Sequence, residues 1–112
     1  MAERMEEQHD ILGRIEAVIA ARRSASPGES YVASLNARGL PVIARKLGEE
    51  AVETVCAALS GTREELVGEC ADVLFHMLVL LAAKGVRVEE VLSELARREG
   101  LSGLAEKAAR SE

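Results

Sequence analysis

Glu50 and Glu53 stand three residues apart, as do Glu69 and Asp72, with Glu49 adjoining the first pair. On an α-helix each residue turns the chain by about 100°, so side chains at that spacing share a face. Each pair can therefore aim two carboxylates at one point. Acids gathered in this way repel: two unit charges about 6 Å apart cost roughly 0.7 kcal/mol in water, and about four times as much at an effective dielectric of ~20. A hard divalent ion, Mg²⁺ or Mn²⁺, reverses the sign of that interaction because such ions prefer oxygen ligands. The alternative is a solvated acidic face whose charges pair along the helix with Lys46.

The second stripe weighs against that alternative. Glu69, Asp72 and His76 fall at i, i+3 and i+7, and beyond Asp72 the sequence is apolar almost all round, from Val73 through Leu74, Phe75, Met77, Leu78, Val79, Leu80 and Leu81. A helix of that kind is covered on most sides. Asp72 stands where the exposed half passes into the buried half, and an uncompensated carboxylate there is costly. His76 has two readings: a core histidine satisfied by a neighbouring carboxylate, or an ion ligand. Lys46, or Arg45 beside it, can meet phosphates brought by the ion, although Arg45 also reads as a solvated side chain.

Oxygen-rich sites of this type suit phosphoryl chemistry. The ion neutralises phosphate charge, orients the substrate and acidifies an attacking water, and a carboxylate outside its coordination takes the proton. The Gly-rich lysine loop that cradles phosphates elsewhere is missing from the sequence. No serine or cysteine is arranged with a histidine for nucleophilic attack, and His9 falls in a charged N-terminal stretch. Hydrolysis of a phosphoanhydride by metal-activated water is the reaction class that follows.

Helices must position these groups. Apolar periodicity at Ile11, Leu12, Ile15, Val18 and Ile19 predicts a first helix over 6–22, followed by a Pro27-Gly28 loop. Ser30 caps a short helix over 30–37. Pro41 suits the first turn of a helix running over 41–59 to Ser60-Gly61. Its apolar face is Ile43, Ala44, Leu47, Ala51, Val55 and Ala58. Thr62-Arg63-Glu64-Glu65 resembles a capping box opening a helix over 62–84, and a last helix covers about 88–99. The two central helices, joined by a tight turn, run antiparallel. The fold class is all-α, an antiparallel helical bundle of four to five helices, in one domain over 1–112 with a core of about 11–99 and a tail of 100–112.

The 112 residues are 48% hydrophobic, yet only Tyr31 and Phe75 are aromatic, so the core is aliphatic. A net charge of −5 and the lack of stacking side chains exclude general nucleic-acid binding. The charged opening Met1-Ala2-Glu3-Arg4 and an apolar run of only Val73 to Ala83 predict a cytoplasmic chain with no membrane partner. Cys56 and Cys70 read as buried thiols acting as small hydrophobes. A helix apolar on nearly all sides has too few neighbours in so short a chain, and each further buried leucine contributes roughly 1.5–3 kcal/mol, so a homodimer is expected.

Glu49-Glu50-x-x-Glu53 followed by Glu69-x-x-Asp72 resembles the all-α nucleoside triphosphate pyrophosphohydrolase superfamily (MazG-like). Four further stretches narrow the resemblance to the phosphoribosyl-ATP pyrophosphatases: Ser30-Tyr31-x-Ala33-x-Leu35, Ile43 to Glu53, Glu69 to Leu81, and Ser102-Gly103-Leu104-Ala105-Glu106-Lys107-Ala108-x-Arg110. The resemblance spans about residues 11–110. It implies hydrolysis of phosphoribosyl-ATP between the α and β phosphates, giving phosphoribosyl-AMP and pyrophosphate in the second step of L-histidine biosynthesis, by a homodimer. It also implies that Glu50, Glu53, Glu69 and Asp72 hold Mg²⁺, with Glu49 a ligand or a base that positions water. Lys46 and Arg45 then approach the phosphate chain, Tyr31 helps to close the site, and Lys107 or Arg110 reads the phosphoribosyl group. Phe75 stands where the family often has tyrosine, and Arg87 where a capping serine, threonine or aspartate is usual. Two rival classes share these features: a hydrolase of noncanonical nucleoside triphosphates, and a noncatalytic helical adaptor.

Overall fold

The computed structural model describes residues 10–100 together with 103, 107 and 110. Five helices and no strand occur among the described residues: α1 (Ile11–Arg22), α2 (Tyr31–Arg38), α3 (Leu40–Ser60), α4 (Arg63–Ala83) and α5 (Val88–Arg98). The bundle is all-α. The first nine residues, including His9, and most of the tail motif lie outside the described residues.

Helix boundaries follow local chemistry. The Ser30 side chain accepts the Ala33 N–H at 3.3 Å, satisfying one orphan donor of α2. Thr62 does the same for Glu65 at 3.1 Å and starts α4 immediately after α3. Between them Gly61 has ordinary negative φ, so conformational freedom is not what the turn needs. A Cβ there would lie 2.9 Å from the Ala57 carbonyl oxygen and 2.6 Å from Glu65 Oε2. The hairpin closes because nothing but hydrogen occupies that point. At its other end α4 stops at Gly85, where φ is +69°. The Val86 N–H reaches Leu81 O at 2.9 Å and the Gly85 N–H reaches Ala82 O at 3.2 Å, the paired bonds of a left-handed glycine terminus.

The missing cap at Arg87 is supplied from elsewhere in the chain. Glu16, on α1, accepts the Val88 N–H at 2.6 Å and the Arg87 guanidinium at 3.0 Å, while Glu90 accepts the Arg87 N–H at 2.8 Å. These contacts hold the Glu16 carboxyl below its ordinary range, the Val88 N–H contributing most and Arg87 adding to it. A carboxylate at a helix N-terminus also meets the positive end of its dipole.

The core draws on every helix: Ile19 from α1, Val32 and Leu35 from α2, Ile43 from α3, Leu78 and Val79 from α4, and Val88 from α5. It engages the beginning of α3 and the end of α4, so the α3–α4 hairpin projects beyond it. Here the structure corrects two expectations. Ala44, Ala51, Val55 and Ala58 are exposed, whereas Glu50 is buried; the core takes only Ile43 fully from that face because the other helices do not extend along the hairpin. Cys56 and Cys70 are exposed for the same reason.

By length and composition alone α4 is apolar enough to cross a membrane, which the shorter run of unbroken apolar residues did not suggest. Its Leu78 and Val79 nevertheless lie in the shared core, and Glu69, Asp72 and His76 face polar partners, as on the central helix of a bundle.

Candidate active site

The antiparallel course of α3 and α4 brings Glu50 opposite Glu69 and Asp72. One carboxylate oxygen from each of the three lies within 4.8 Å of the others. Glu50 is only 8% exposed, and its Oε2, like Oε2 of Glu69, is buried without a hydrogen-bond partner. Two orphaned acceptors turned toward a third acid are poorly arranged for a packed interior, since each forgoes water without compensation. They are well arranged to receive a hard cation, whose oxygen ligands need this convergence.

The electrostatics agree. Burial, foremost, raises the pKa of Glu50 above the ordinary carboxylate value; Glu53 and Asp72 push the same way, and His76 opposes them. Glu69 is raised as well, by burial first and then by Glu53, Glu50 and Asp72. Glu53 adds to both shifts because a further negative charge nearby disfavours ionisation of either group. Glu53 is exposed and stands at the rim of the three rather than among them.

The remaining acid stands outside the convergent three. Glu49 is half exposed and pairs with Arg45 Nε at 3.4 Å and with Lys46 Nζ at 3.4 Å. Lys46 also stands 3.9 Å from Glu50 Oε1, so its ammonium spans the buried and exposed acids. Its pKa is raised, most by Tyr31 and then by its bond to Glu49. Arg45 is 60% exposed at the side chain, with its nearest acid outside the convergent three.

His76 is a buried core histidine, but no carboxylate satisfies it. Nδ1 lies 2.8 Å from the Asp72 backbone carbonyl and Nε2 lies 2.9 Å from the Tyr31 hydroxyl. Sequence spacing placed it correctly one turn after Asp72, where the helix offers a carbonyl as readily as a side chain. The Tyr31 contact joins residues 45 apart and left no local signal. Lys107 and Arg110 are exposed.

A groove of about 510 Å³ runs from the acids toward the hairpin turn, lined by Glu53, Cys56, Ser60, Glu65, Glu69 and Asp72. Glu65, which the sequence marks as a capping residue, also lines the groove, and its spacing of four before Glu69 extends the acidic stripe. A larger cavity of about 650 Å³ lies near the far end of α4, among Glu16, Arg23, Asn36, Ala82 and Arg87. Its polar groups already serve one another: Arg23 bonds Ala82 O at 2.7 Å and Asn36 at 3.2 Å, and Arg87 pairs with Glu16. The smaller groove reaches Glu69 and Asp72 of the convergent acids, and there the chemistry belongs.

Residues 12–99 match the family described as phosphoribosyl-ATP pyrophosphohydrolase. The chain is 66% identical over 101 residues to the phosphoribosyl-ATP pyrophosphatase of Erythrobacter litoralis, covering 90% of this chain and 97% of that protein. Its counterpart in Novosphingobium aromaticivorans is 64% identical over 105 residues, covering 94% and 98%. The Zymomonas mobilis protein of the same name is 59% identical over 101 residues, covering 90% and 94%. A helical hairpin with converging acids is what hydrolysis of a polyphosphate needs, and likeness of this extent leaves one assignment: the chain belongs to the phosphoribosyl-ATP pyrophosphohydrolase family.

Proposed function

We propose that Glu50, Glu69 and Asp72, with Glu53 at their rim, hold Mg²⁺ (or Mn²⁺) for the hydrolysis of phosphoribosyl-ATP to phosphoribosyl-AMP and pyrophosphate, the second step of L-histidine biosynthesis. The carrying observation is the pair of buried carboxylate oxygens without partners, on two antiparallel helices inside the family match. Bound there, the ion supplies charge neutralisation for the triphosphate and acidifies a water molecule. The protein's own groups do the rest. Lys46 offers its ammonium to the phosphate chain from the edge of the acids. Glu49, outside the convergent three, is the carboxylate left to orient water or take its proton. Arg45 and Tyr31 flank the approach, and Lys107 and Arg110 supply cations for the phosphoribosyl phosphate.

In the same reading the chain works as a cytoplasmic homodimer. Val52, Val55, Leu59 and Val67 are 63, 57, 83 and 65% exposed along the projecting hairpin. An apolar strip of that kind on a small protein supports association.

Release of pyrophosphate should be measured from phosphoribosyl-ATP and from a panel of free nucleoside triphosphates, with Mg²⁺ and with chelator. The expected result is Mg²⁺-dependent turnover with clear preference for phosphoribosyl-ATP. Preference for a free nucleotide, or turnover indifferent to chelation, contradicts the proposal.

A further inference from the structure

Tryptophan is absent from the chain, and its one tyrosine and one phenylalanine, Tyr31 and Phe75, stand together. Their ring centroids are 6.2 Å apart, with planes inclined by 22°. His76 meets Phe75 edge-on at 5.3 Å and Tyr31 edge-on at 5.8 Å. Phe75 packs against the core and His76 is 6% exposed, whereas Tyr31, the first residue of α2, is 50% exposed. A ligand that needs an aromatic surface finds it at Tyr31.

That surface is held still and close to the acids. The Asp72 carbonyl only accepts, so His76 Nδ1, 2.8 Å away, carries hydrogen. In the neutral ring Nε2 is then an acceptor, and the Tyr31 hydroxyl donates to it at 2.9 Å. With Phe75 stacked on it and its hydroxyl tied to His76, the Tyr31 ring loses little freedom when a ligand arrives. One imidazole, with a hydrogen bond at each end, separates the Tyr31 oxygen from the Asp72 backbone. The ring and the acids therefore stand within the length of one nucleotide.

The substrate of the proposed reaction has a base suited to such a ring. Phosphoribosyl-ATP carries its phosphoribosyl group on N1 of the adenine, and alkylation of that nitrogen leaves the base cationic near neutral pH. The adenine of ATP is neutral. The negative face of a phenol ring attracts a cation, in addition to the stacking that any base obtains. We propose that the face of the Tyr31 ring binds the cationic purine of phosphoribosyl-ATP and so distinguishes this substrate from free ATP. This rests on the proposed reaction and assigns recognition of the base within it. The ring makes the contact; the hydroxyl, through His76, only holds the ring in place.

The probes are α,β-methylene-ATP, which cannot be cleaved between its α and β phosphates, and the same analogue methylated on N1. The methyl group makes the base cationic without adding a phosphoribosyl group. Calorimetric titrations in Mg²⁺ should show the parent protein binding the methylated analogue about threefold to thirtyfold more tightly. Tyr31→Phe keeps the ring and should keep most of that preference, whereas Tyr31→Leu should lose it. Equal affinities in the parent, or no binding of either analogue, overturn the proposal. A preference that survives in Tyr31→Leu assigns it to the nearby carboxylates and also overturns it, as does equal loss in the two variants. Tyr31 is the only tyrosine, so its fluorescence in the parent should be quenched by the methylated analogue; unchanged emission counts against the contact even if Tyr31→Leu fails to fold. A parent that prefers the methylated analogue but leaves phosphoribosyl-ATP intact refutes the reaction and retains the base site. One that hydrolyses phosphoribosyl-ATP without that preference refutes the base site alone.

Discussion

Replacing Glu50 by glutamine separates the cost of the empty acidic cluster from its use. The Glu50 carboxylate shares the 4.8 Å cluster with Glu69 and Asp72, and Lys46 approaches at 3.9 Å. At effective dielectrics between 80 and 20, each repulsion at such a distance is about 1–3.5 kcal/mol, and the attraction to Lys46 is of similar size. Two repulsions against one attraction leave roughly one repulsion uncompensated. Glutamine keeps the shape and deletes the charge, so the metal-free variant should gain about 1–3 kcal/mol, or about 4–13 °C in Tm for a domain of this size. With Mg²⁺ at about a hundred times its Kd, the parent protein gains about 2.7 kcal/mol by binding alone. The variant loses much of that gain, and its turnover falls. Melting curves in chelator and in Mg²⁺ should therefore show the stability advantage of Glu50→Gln in chelator reduced or reversed by Mg²⁺. If Glu50→Gln is less stable in chelator and gains as much from Mg²⁺ as the parent, the acids neither repel one another nor share an ion, and the reasoning is refuted.

Asp72→Asn and Glu53→Gln should each abolish pyrophosphate release while leaving the helical circular-dichroism signal intact; near-normal turnover removes that residue from the metal site. Glu50 and Glu69 have raised pKa values, so the stability they contribute is complete below the unfolded value of 4.5 and is lost as pH climbs through their folded values. The Mg²⁺-induced rise in Tm should accordingly grow over that same interval, measured by melts at stepped pH. Glu94 behaves oppositely: Arg97 and then Arg98 hold it down to about 2, so its stabilisation is present above 4.5 and disappears on acidification toward 2. Glu94→Gln should flatten that acid limb. Gly61→Ala forces a methyl against the Ala57 backbone and should cost about 1–3 kcal/mol in urea unfolding. Val55→Asp, on the exposed strip, should convert a sedimenting dimer to monomer; an unchanged sedimentation coefficient places the interface elsewhere.

The helices were legible because their punctuation is local. Ser30, Thr62 and Gly85 act within a few residues of themselves, so capping and termination can be read along the chain. The convergence of Glu50 with Glu69 and Asp72 was legible too, since a short turn between two long helices forces them to be antiparallel. What escaped was set by contacts distant in sequence. Glu16 caps α5 across more than seventy residues, so Arg87 looked like a weak start when it was not. Tyr31 reaches His76 across the bundle, and spacing within α4 pointed to a carboxylate partner instead. Periodicity on α3 identified an apolar face correctly as a pattern but not its cover, because periodicity says which residues share a side and nothing about how far neighbouring helices extend. Ala51, Val55 and Cys56 are exposed on that account.

The central claim is that a divalent cation occupies the point shared by Glu50, Glu69 and Asp72 while the triphosphate is bound. Crystals grown with Mn²⁺ and a nonhydrolysable phosphoribosyl-ATP analogue test it through the anomalous signal of the metal. Manganese coordinated by oxygens of those three residues and by the triphosphate is the predicted result. An analogue bound with no metal among these carboxylates, or with manganese held elsewhere, would contradict it.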